Sequence, residues 1–328
     1  MKKILLTGDR PTGALHLGHY VGSLENRVKL QKEFESYILI ADIQAFTDNF
    51  HRPEMVKENV LEVLSDYLAV GIDPKYSSIC LQSHLRGLFE LTQYFSNLVS
   101  FDYLKHNPTL KTELEQKKIN NLGFISYPVS QAADILGFRA DCVPVGEDQS
   151  PILELTNKVG KTFNKQYKMN LFPHVNGHYS PCSRLMGIDG DNKMSKSLNN
   201  AIYLKDSVDE IRSKVYKMFT DPLHLKVSDP GHLENNVVVY YLDVFDPDKA
   251  GLEQLKLNYQ AGGIADIVLK NRLVEVLDAL ISPIREIRLK VRADETFLLQ
   301  TLKEGTDRGN TKVESTMKVV REIFSLKL

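Results

Sequence analysis

The sequence predicts an α/β fold, a Rossmann-like parallel sheet over residues 1–200 followed by a helical domain over 201–328. Three observations carry this expectation. Short apolar runs alternate with helical patterns as far as residue 163, the order that builds a parallel sheet with crossover helices. The apolar runs are continuous, as in strands buried on both faces. Beyond residue 200 the strand signal fades and helical spacing dominates.

The elements follow in order. Ile4-Leu5-Leu6 is a strand closed by Gly8, with Pro11-Thr12-Gly13 as turn residues. Leu17, Tyr20, Val21, Leu24 and Val28 keep helical spacing. Tyr37–Ala41 is a second strand. Pro53 sits at a favoured first helical position, and Gly71 stops the helix it opens. Ser78–Leu81 is a third strand, Leu85–Leu98 and Pro128–Phe138 are helices, Asp141–Val145 is a strand, and Pro151–Phe163 is a helix. Val208–Phe219, Ala265–Val291 and Val313–Phe324 are helical, and Val237–Leu242 is read as helix from its neighbours. The last helix can pack back onto the first domain. Ligands of such sheets bind at the carboxyl ends of the strands. The segments after Leu6, Ala41 and Val145 are therefore the places to look for chemistry.

Composition narrows the class. Hydrophobic residues make up 42% of the 328 and charged residues 25%, which excludes wholesale disorder and fibrous proteins. Lys+Arg 41 against Asp+Glu 42 gives a net charge of −1. That excludes a uniformly basic protein but leaves room for a local nucleic-acid patch. Cys80, Cys142 and Cys182 form no CxxC, so neither a disulfide framework nor a thiolate zinc site is expected. The apolar start is too short for a signal-peptide core, and no apolar stretch nears the ~20 residues of a membrane span. A cytoplasmic protein with no membrane partner is expected.

Two motifs carry chemistry. Pro11-Thr12-Gly13-Ala14-Leu15-His16-Leu17-Gly18-His19 lies between the first strand and the first helix, where backbone N–H groups and the helix dipole favour an anion. It is no Walker loop, because His19-Tyr20 stands where Lys and Ser/Thr are needed, and GxGxxG is absent. His16 and His19 can donate to phosphate oxygens while Gly18 admits a base or ribose. A metal reading fails for want of a third ligand. Lys193-Met194-Ser195-Lys196-Ser197 follows Gly187-Ile188-Asp189-Gly190-Asp191-Asn192. Two lysines and two hydroxyls on a mobile loop can close over a polyphosphate.

Together, HLGH (16–19) and KMSKS (193–197) resemble the paired signatures of the class I aminoacyl-tRNA synthetases. Asp9–His16 is similar to the family's PTGxLHLG opening. Ala41-Asp42-Ile43-Gln44-Ala45-Phe46-Thr47 resembles ADxHAxT of its tryptophanyl branch, Tyr127-Pro128 with Ala132–Leu136 resembles YPxxxAADIL, and Pro144–Gln149 with Glu154-Leu155-Thr156 resembles PVGEDQxxHxELT. The likeness spans about residues 4–200.

The resemblance implies activation of L-tryptophan by ATP, carried with Mg2+ and without a prosthetic group, then transfer to tRNA(Trp) by a homodimer with an anticodon-binding domain over 201–328. It implies His16, His19, Lys193 and Lys196 as catalytic residues. Arg10, Pro11, Thr12, Gly18, Gly146, Glu147, Asp148, Leu185, Met194, Ser195 and Ser197 join His19 and the two lysines around ATP. Tyr127 and Gln149 meet the α-amino group, Asp134 accepts the indole N–H, and Gln44 lies in the same pocket. An Asp between apolar neighbours is costly if buried without a partner, which singles out Asp134. There are departures. Gln44 stands where the branch usually has His, His19 where many members have Asn, and Gln131 where an apolar residue is common.

Rivals are the related tyrosyl enzymes, a small nucleotidyltransferase lacking the helical domain, and a non-catalytic RNA-binding paralogue. The AADIL and PVGEDQ segments, and a chain without Trp, favour tryptophan. Phe89, Tyr94, Phe95, Phe101 and Tyr103 are read as core or interface. Arg285, Arg288, Lys290 and Arg292 are read as a solvated helix face rather than a tRNA contact.

Overall fold

The computed structural model describes every residue except 1, 120, 147–148, 180–184, 220, 222 and 325–328. From the N-terminus, β1 (Ile4–Asp9) leads into α1 (Leu17–His19). A wide π turn (Tyr20–Leu24) passes to α2 (Glu25–Leu30). Then come β2 (Glu35–Ile40), α3 (Asp42–Asn49), α4 (Pro53–Ala69), β3 (Ser77–Leu81), α5 (Arg86–Ser96), α6 (Phe101–Lys105), α7 (Pro108–Lys117), α8 (Leu122–Gly137), β4 (Cys142–Val145), α9 (Ser150–Gln166) and β5 (Asn176–Tyr179). The remainder is helical: α10 (Val208–Tyr216), α11 (Val237–Phe245), α12 (Lys249–Ala261), α13 (Asp266–Ala293) and α14 (Glu295–Phe324).

The sheet has the order β3-β2-β1-β4-β5, and every pair is parallel. Chain order reverses between β1 and β4, the switch point where ligands of open α/β sheets bind. Register aligns Asp9 with Ile40 and Ile40 with Leu81. Arg10, Ala41 and Gln82 therefore leave the sheet at one edge. Continuous burial of Ile4–Thr7 and Ser36–Ile40 agrees with the apolar runs that predicted them.

The chain divides into two compact units. One comprises residues 1–13, 23–183 and 291–328, the other 14–22 and 184–290. These bounds interleave where the sequence reading drew a single cut at residue 200. In the first unit, β1–β4 and helices α5, α8 and α9 share a core with Val313, Met317 and Val320 of α14. The helix α14 lies on the edge strand β3. A Cβ at Gly305 would stand 2.0 Å from the Ile79 carbonyl oxygen, so only glycine permits this approach. Thr306 Oγ1 accepts the Leu81 N–H at 3.0 Å, and Cys80 Sγ donates to the Gly305 carbonyl at 3.1 Å. The helix thus covers an edge that would otherwise invite pairing.

Several elements depart from the sequence reading. The helix expected to begin at Pro128 begins at Leu122, where Asn121 accepts the Phe124 N–H at 2.8 Å. Pro128 lies inside it, a cost of about 3 kcal/mol that tertiary packing must offset. The helix expected from Val313 starts at Glu295, through a Gly- and Thr-rich stretch of weak propensity. Val237–Leu242 is helical, with Asn236 accepting from the Val238 and Val239 N–H groups. Helices α3, α6, α7 and α12 and strand β5 had not been expected.

Candidate active site

Each unit carries one set of the side chains singled out in the sequence. In the second unit, the Leu17 N–H donates to the Ile202 carbonyl (2.9 Å) and the Leu204 N–H to the Leu15 carbonyl (3.1 Å). This antiparallel bridge fixes the segment that bears His16, Gly18 and His19. The Gly18 N–H donates to Met194 Sδ at 3.3 Å, joining HLGH directly to KMSKS. A Cβ at Gly18 would lie 3.0 Å from the His16 ring and 3.5 Å from Met194 Cβ, so a larger residue would press on the His16 ring. The His16 and His19 rings are 3.9 Å apart. The His16 backbone N–H donates to His19 Nδ1 at 3.3 Å. That bond makes His19 Nδ1 an acceptor. The helix dipole expected here is small, because α1 is three residues long before the π turn.

The KMSKS segment is exposed at Lys193 and Ser197, half-buried at Ser195 and Lys196, and buried at Met194. The Ser195 and Ser197 hydroxyls lie 2.9 Å apart. The Met194 N–H donates to the Leu185 carbonyl at 2.9 Å, and Leu185 is itself buried. The loop is less free than its composition suggested. Buried Asn200 accepts the Ser195 N–H at 2.8 Å, and its Nδ2 donates to Asp189 Oδ2 at 2.9 Å. A Cβ at Gly187 would lie 2.1 Å from that nitrogen. The sequence reading missed Asn200, which carries no motif signal.

In the first unit, α8 places Tyr127 and Asp134 on one face, seven residues apart. Asp134 is 4% exposed. Its Oδ2 accepts two hydrogen bonds, from Gln44 Nε2 at 2.9 Å and from Gln82 Nε2 at 2.8 Å. Burial pushes this carboxyl up to about 7. The two carboxamides act against that push, and nearby Asp42 adds to it. Gln82 Oε1 accepts the Gln44 N–H at 3.2 Å, and Asp42 Oδ1 accepts the Ser83 N–H at 2.9 Å. The ends of β2 and β3 are thereby stitched together. Gln82 is absent from the sequence reading. The strand-end rule that flagged the residues after Leu6, Ala41 and Val145 applies equally after Leu81, and would have found it.

Tyr127 is buried, which together with Glu113 pushes its phenol well above the usual range. Arg10, at the end of β1, stands 3.6 Å from Asp48 and 4.0 Å from Glu113. Lys117 also pairs with Asp48. Pro11 is buried and Thr12 half-buried. Gln149 caps α9 and donates its N–H to the Gly146 carbonyl at 3.0 Å. Glu147 and Asp148 lie outside the described residues. Among the described residues, no group of three His, Cys, Asp or Glu side chains could hold a metal ion.

Other surface readings change with the structure. Phe95 is fully buried, Phe101 is 61% exposed, and Tyr94 stacks on Phe324 at 4.3 Å. Arg285 donates to the Asp206 carbonyl and to Asp278, Arg288 is buried, and Arg292 donates to Glu62. The expected solvated face is largely a set of structural cations.

One set thus joins two imidazoles to a lysine-bearing segment, the residue types that suit a polyphosphate. The other offers a buried acceptor to a neutral N–H donor. Comparison with known proteins identifies the family. The sequence pattern described as tRNA synthetases class I (W and Y) matches residues 2–280. A tryptophan–tRNA ligase of Clostridium longisporum is 47% identical, over 99% of this chain and 97% of its own length. One from Streptococcus pyogenes is 45% identical over 99% and 98%. The crystal structure of a tryptophanyl-tRNA synthetase from Campylobacter jejuni, complexed with ADP and tryptophan, superimposes with a TM-score of 0.88. It is 28% identical and covers 98% of this chain and all of its own. With both signatures joined by one hydrogen bond and likeness running the length of the chain, this protein belongs to the class I tRNA synthetases of the W and Y family.

Proposed function

We propose that this chain activates L-tryptophan with ATP and transfers it to tRNA(Trp). In the first step a tryptophan carboxylate oxygen attacks the α-phosphorus, the bond to the β-phosphate oxygen breaks, and pyrophosphate leaves. In the second, a ribose hydroxyl at the tRNA 3′ end attacks the adenylate carbonyl, and AMP leaves. Little covalent work falls to the protein, which positions the reactants and stabilises charge. The observation that carries the tryptophan reading is Asp134, a buried carboxylate whose Oδ2 is already engaged by Gln44 and Gln82. Its other oxygen takes no hydrogen bond among the described residues and suits the single donor of an indole.

In this reading Tyr127 and Gln149 take the α-ammonium group, and Gln44 supports Asp134. His16, Gly18 and His19 contact ATP. Lys193 and Lys196 neutralise the leaving pyrophosphate, with Met194, Ser195 and Ser197 shaping that segment. Arg10, Pro11, Thr12, Gly146, Glu147, Asp148 and Leu185 complete the nucleotide contacts. Mg2+ arrives as part of the ATP substrate complex. Residues 201–290 serve the tRNA, and the protein works as a cytoplasmic homodimer. No helix among the described residues is long and apolar enough to cross a membrane. ATP–pyrophosphate exchange with each of the twenty amino acids tests the assignment. Tryptophan alone is expected to support exchange, and faster exchange with tyrosine would overturn it.

A further inference from the structure

We infer that Gln82 is a positioning residue for indole recognition: its carboxamide holds one oxygen of Asp134 and so presents the other to the indole N–H. The inference rests on Asp134 being the indole acceptor. Gln82 is fully buried, at 0% exposure, and both ends of its amide are committed. Its Oε1 accepts the Gln44 backbone N–H at 3.2 Å, so the end that meets Asp134 Oδ2, at 2.8 Å, is the donor. The flipped amide would set N–H against N–H and oxygen against carboxylate, so the orientation is determined. The sheet supplies the placement. Asp9, Ile40 and Leu81 are in register, which brings Gln82 to the edge where α3 begins with Asp42 and Gln44.

The arrangement is more than a stitch between strand ends. A carboxylate with both oxygens free could rotate its acceptors away from the substrate. Two donors converging on Oδ2 remove that freedom before tryptophan arrives. They also favour the ionised form, against burial and against Asp42 of α3, the charged group acting on Asp134 among the described residues. Tyr127 lies two turns away on the same helix, and His84, beyond Gln82, is exposed.

The test compares tryptophan with 3-(benzothiophen-3-yl)alanine, an isostere of similar shape whose ring lacks the N–H. Pyrophosphate exchange is measured for the wild type, Gln82→Met and Gln82→Glu between pH 6 and 9. Wild type is expected to prefer tryptophan on the order of a hundredfold, the worth of one hydrogen bond to a buried charged group, about 3 kcal/mol. In Gln82→Met that preference falls by about tenfold, with the KM for ATP unchanged. The acid limb of kcat/KM for tryptophan moves to higher pH in both variants, further in Gln82→Glu. The profile for the isostere stays in place. Gln82→Glu keeps the acceptor for the Gln44 N–H, so it carries the test if Gln82→Met does not fold. Equal losses for both substrates, with the preference and the acid limb unmoved, would make Gln82 a purely structural residue and overturn the inference alone. A wild type that fails to distinguish the two substrates would remove Asp134 as the indole acceptor, and Gln82's role with it.

Discussion

Replacing Asp134 by Asn separates recognition from stability with unusual clarity. Asn offers one acceptor where Asp offered two. Gln44 Nε2 and Gln82 Nε2, at 2.9 and 2.8 Å, both converge on that position. The Asn oxygen satisfies them, so its amide nitrogen takes the place of Oδ1 and faces the indole donor to donor. The loss combines a charge-assisted bond with an unpaired N–H, about 3 kcal/mol or on the order of a hundredfold in kcat/KM for tryptophan. Stability moves the other way. The carboxyl rises from an ordinary 3.8 to about 7 because burial disfavours its charge. Between those values the folded protein binds a proton that the unfolded chain does not. Stability therefore falls as pH rises from about 4 to 7, and the full cost, at most about 4 kcal/mol, persists above 7. Asn carries no such cost. The thermal midpoint of Asp134→Asn at pH 8 is expected to equal or exceed that of the wild type, with the gap narrowing toward pH 4. Pyrophosphate exchange and thermal melts across pH read both effects. A large drop in midpoint with unchanged preference for tryptophan over phenylalanine would refute the reasoning and make Asp134 structural.

Lys196→Ala is expected to slow adenylate formation about a hundredfold, the usual cost of one preorganised charge contact, with ATP binding changed only modestly. Single-turnover adenylate formation near the wild-type rate would reject the role. Asn200→Ala removes the acceptor of the Ser195 N–H and the donor to Asp189. The KM for ATP is expected to rise several-fold while tryptophan binding, measured by equilibrium dialysis, stays constant. A change in tryptophan binding alone would contradict this anchoring role. Gly305→Ala sets a Cβ against the Ile79 backbone and is expected to lower stability by about 1–3 kcal/mol. A denaturation midpoint equal to the wild type would mean that α14 can lift from β3 without cost.

The sheet was legible because β1 and β2 carry continuous apolar runs, the pattern of strands buried on both faces. The β5 strand, Asn-Gly-His-Tyr, was not, since it is an edge whose residues are largely exposed. Helix α14 was half legible. Val313, Met317 and Val320 announce its buried face, but Gly305 and Gly309 read as breakers until the strand they approach is known. The motif residues could be read because their chemistry is local in sequence. Asn200 could not, because its bonds to Ser195 and Asp189 depend on how the loop folds back on itself, and Gln82 was legible only as a strand-end position, not as a partner of Asp134. Asp134 stands between these cases. Its oddity in an apolar helix was visible, but the two glutamines that hold it were not.

The closure of β3 by α14 bears on how the protein is made. Residues 291–328 complete a unit whose other parts end at residue 183, with about a hundred residues of the second unit synthesised between them. A ribosome adding roughly 5–20 residues per second takes on the order of 5–20 s to cover that interval. During it the backbone of β3 lacks Thr306, and the core lacks Val313, Met317 and Val320. The first unit thus waits, with an open strand edge, for the last helix to leave the exit tunnel. Premature termination anywhere before α14 yields a chain that cannot finish a domain it has almost entirely translated, and that is the fragment a cell's chaperones and proteases meet.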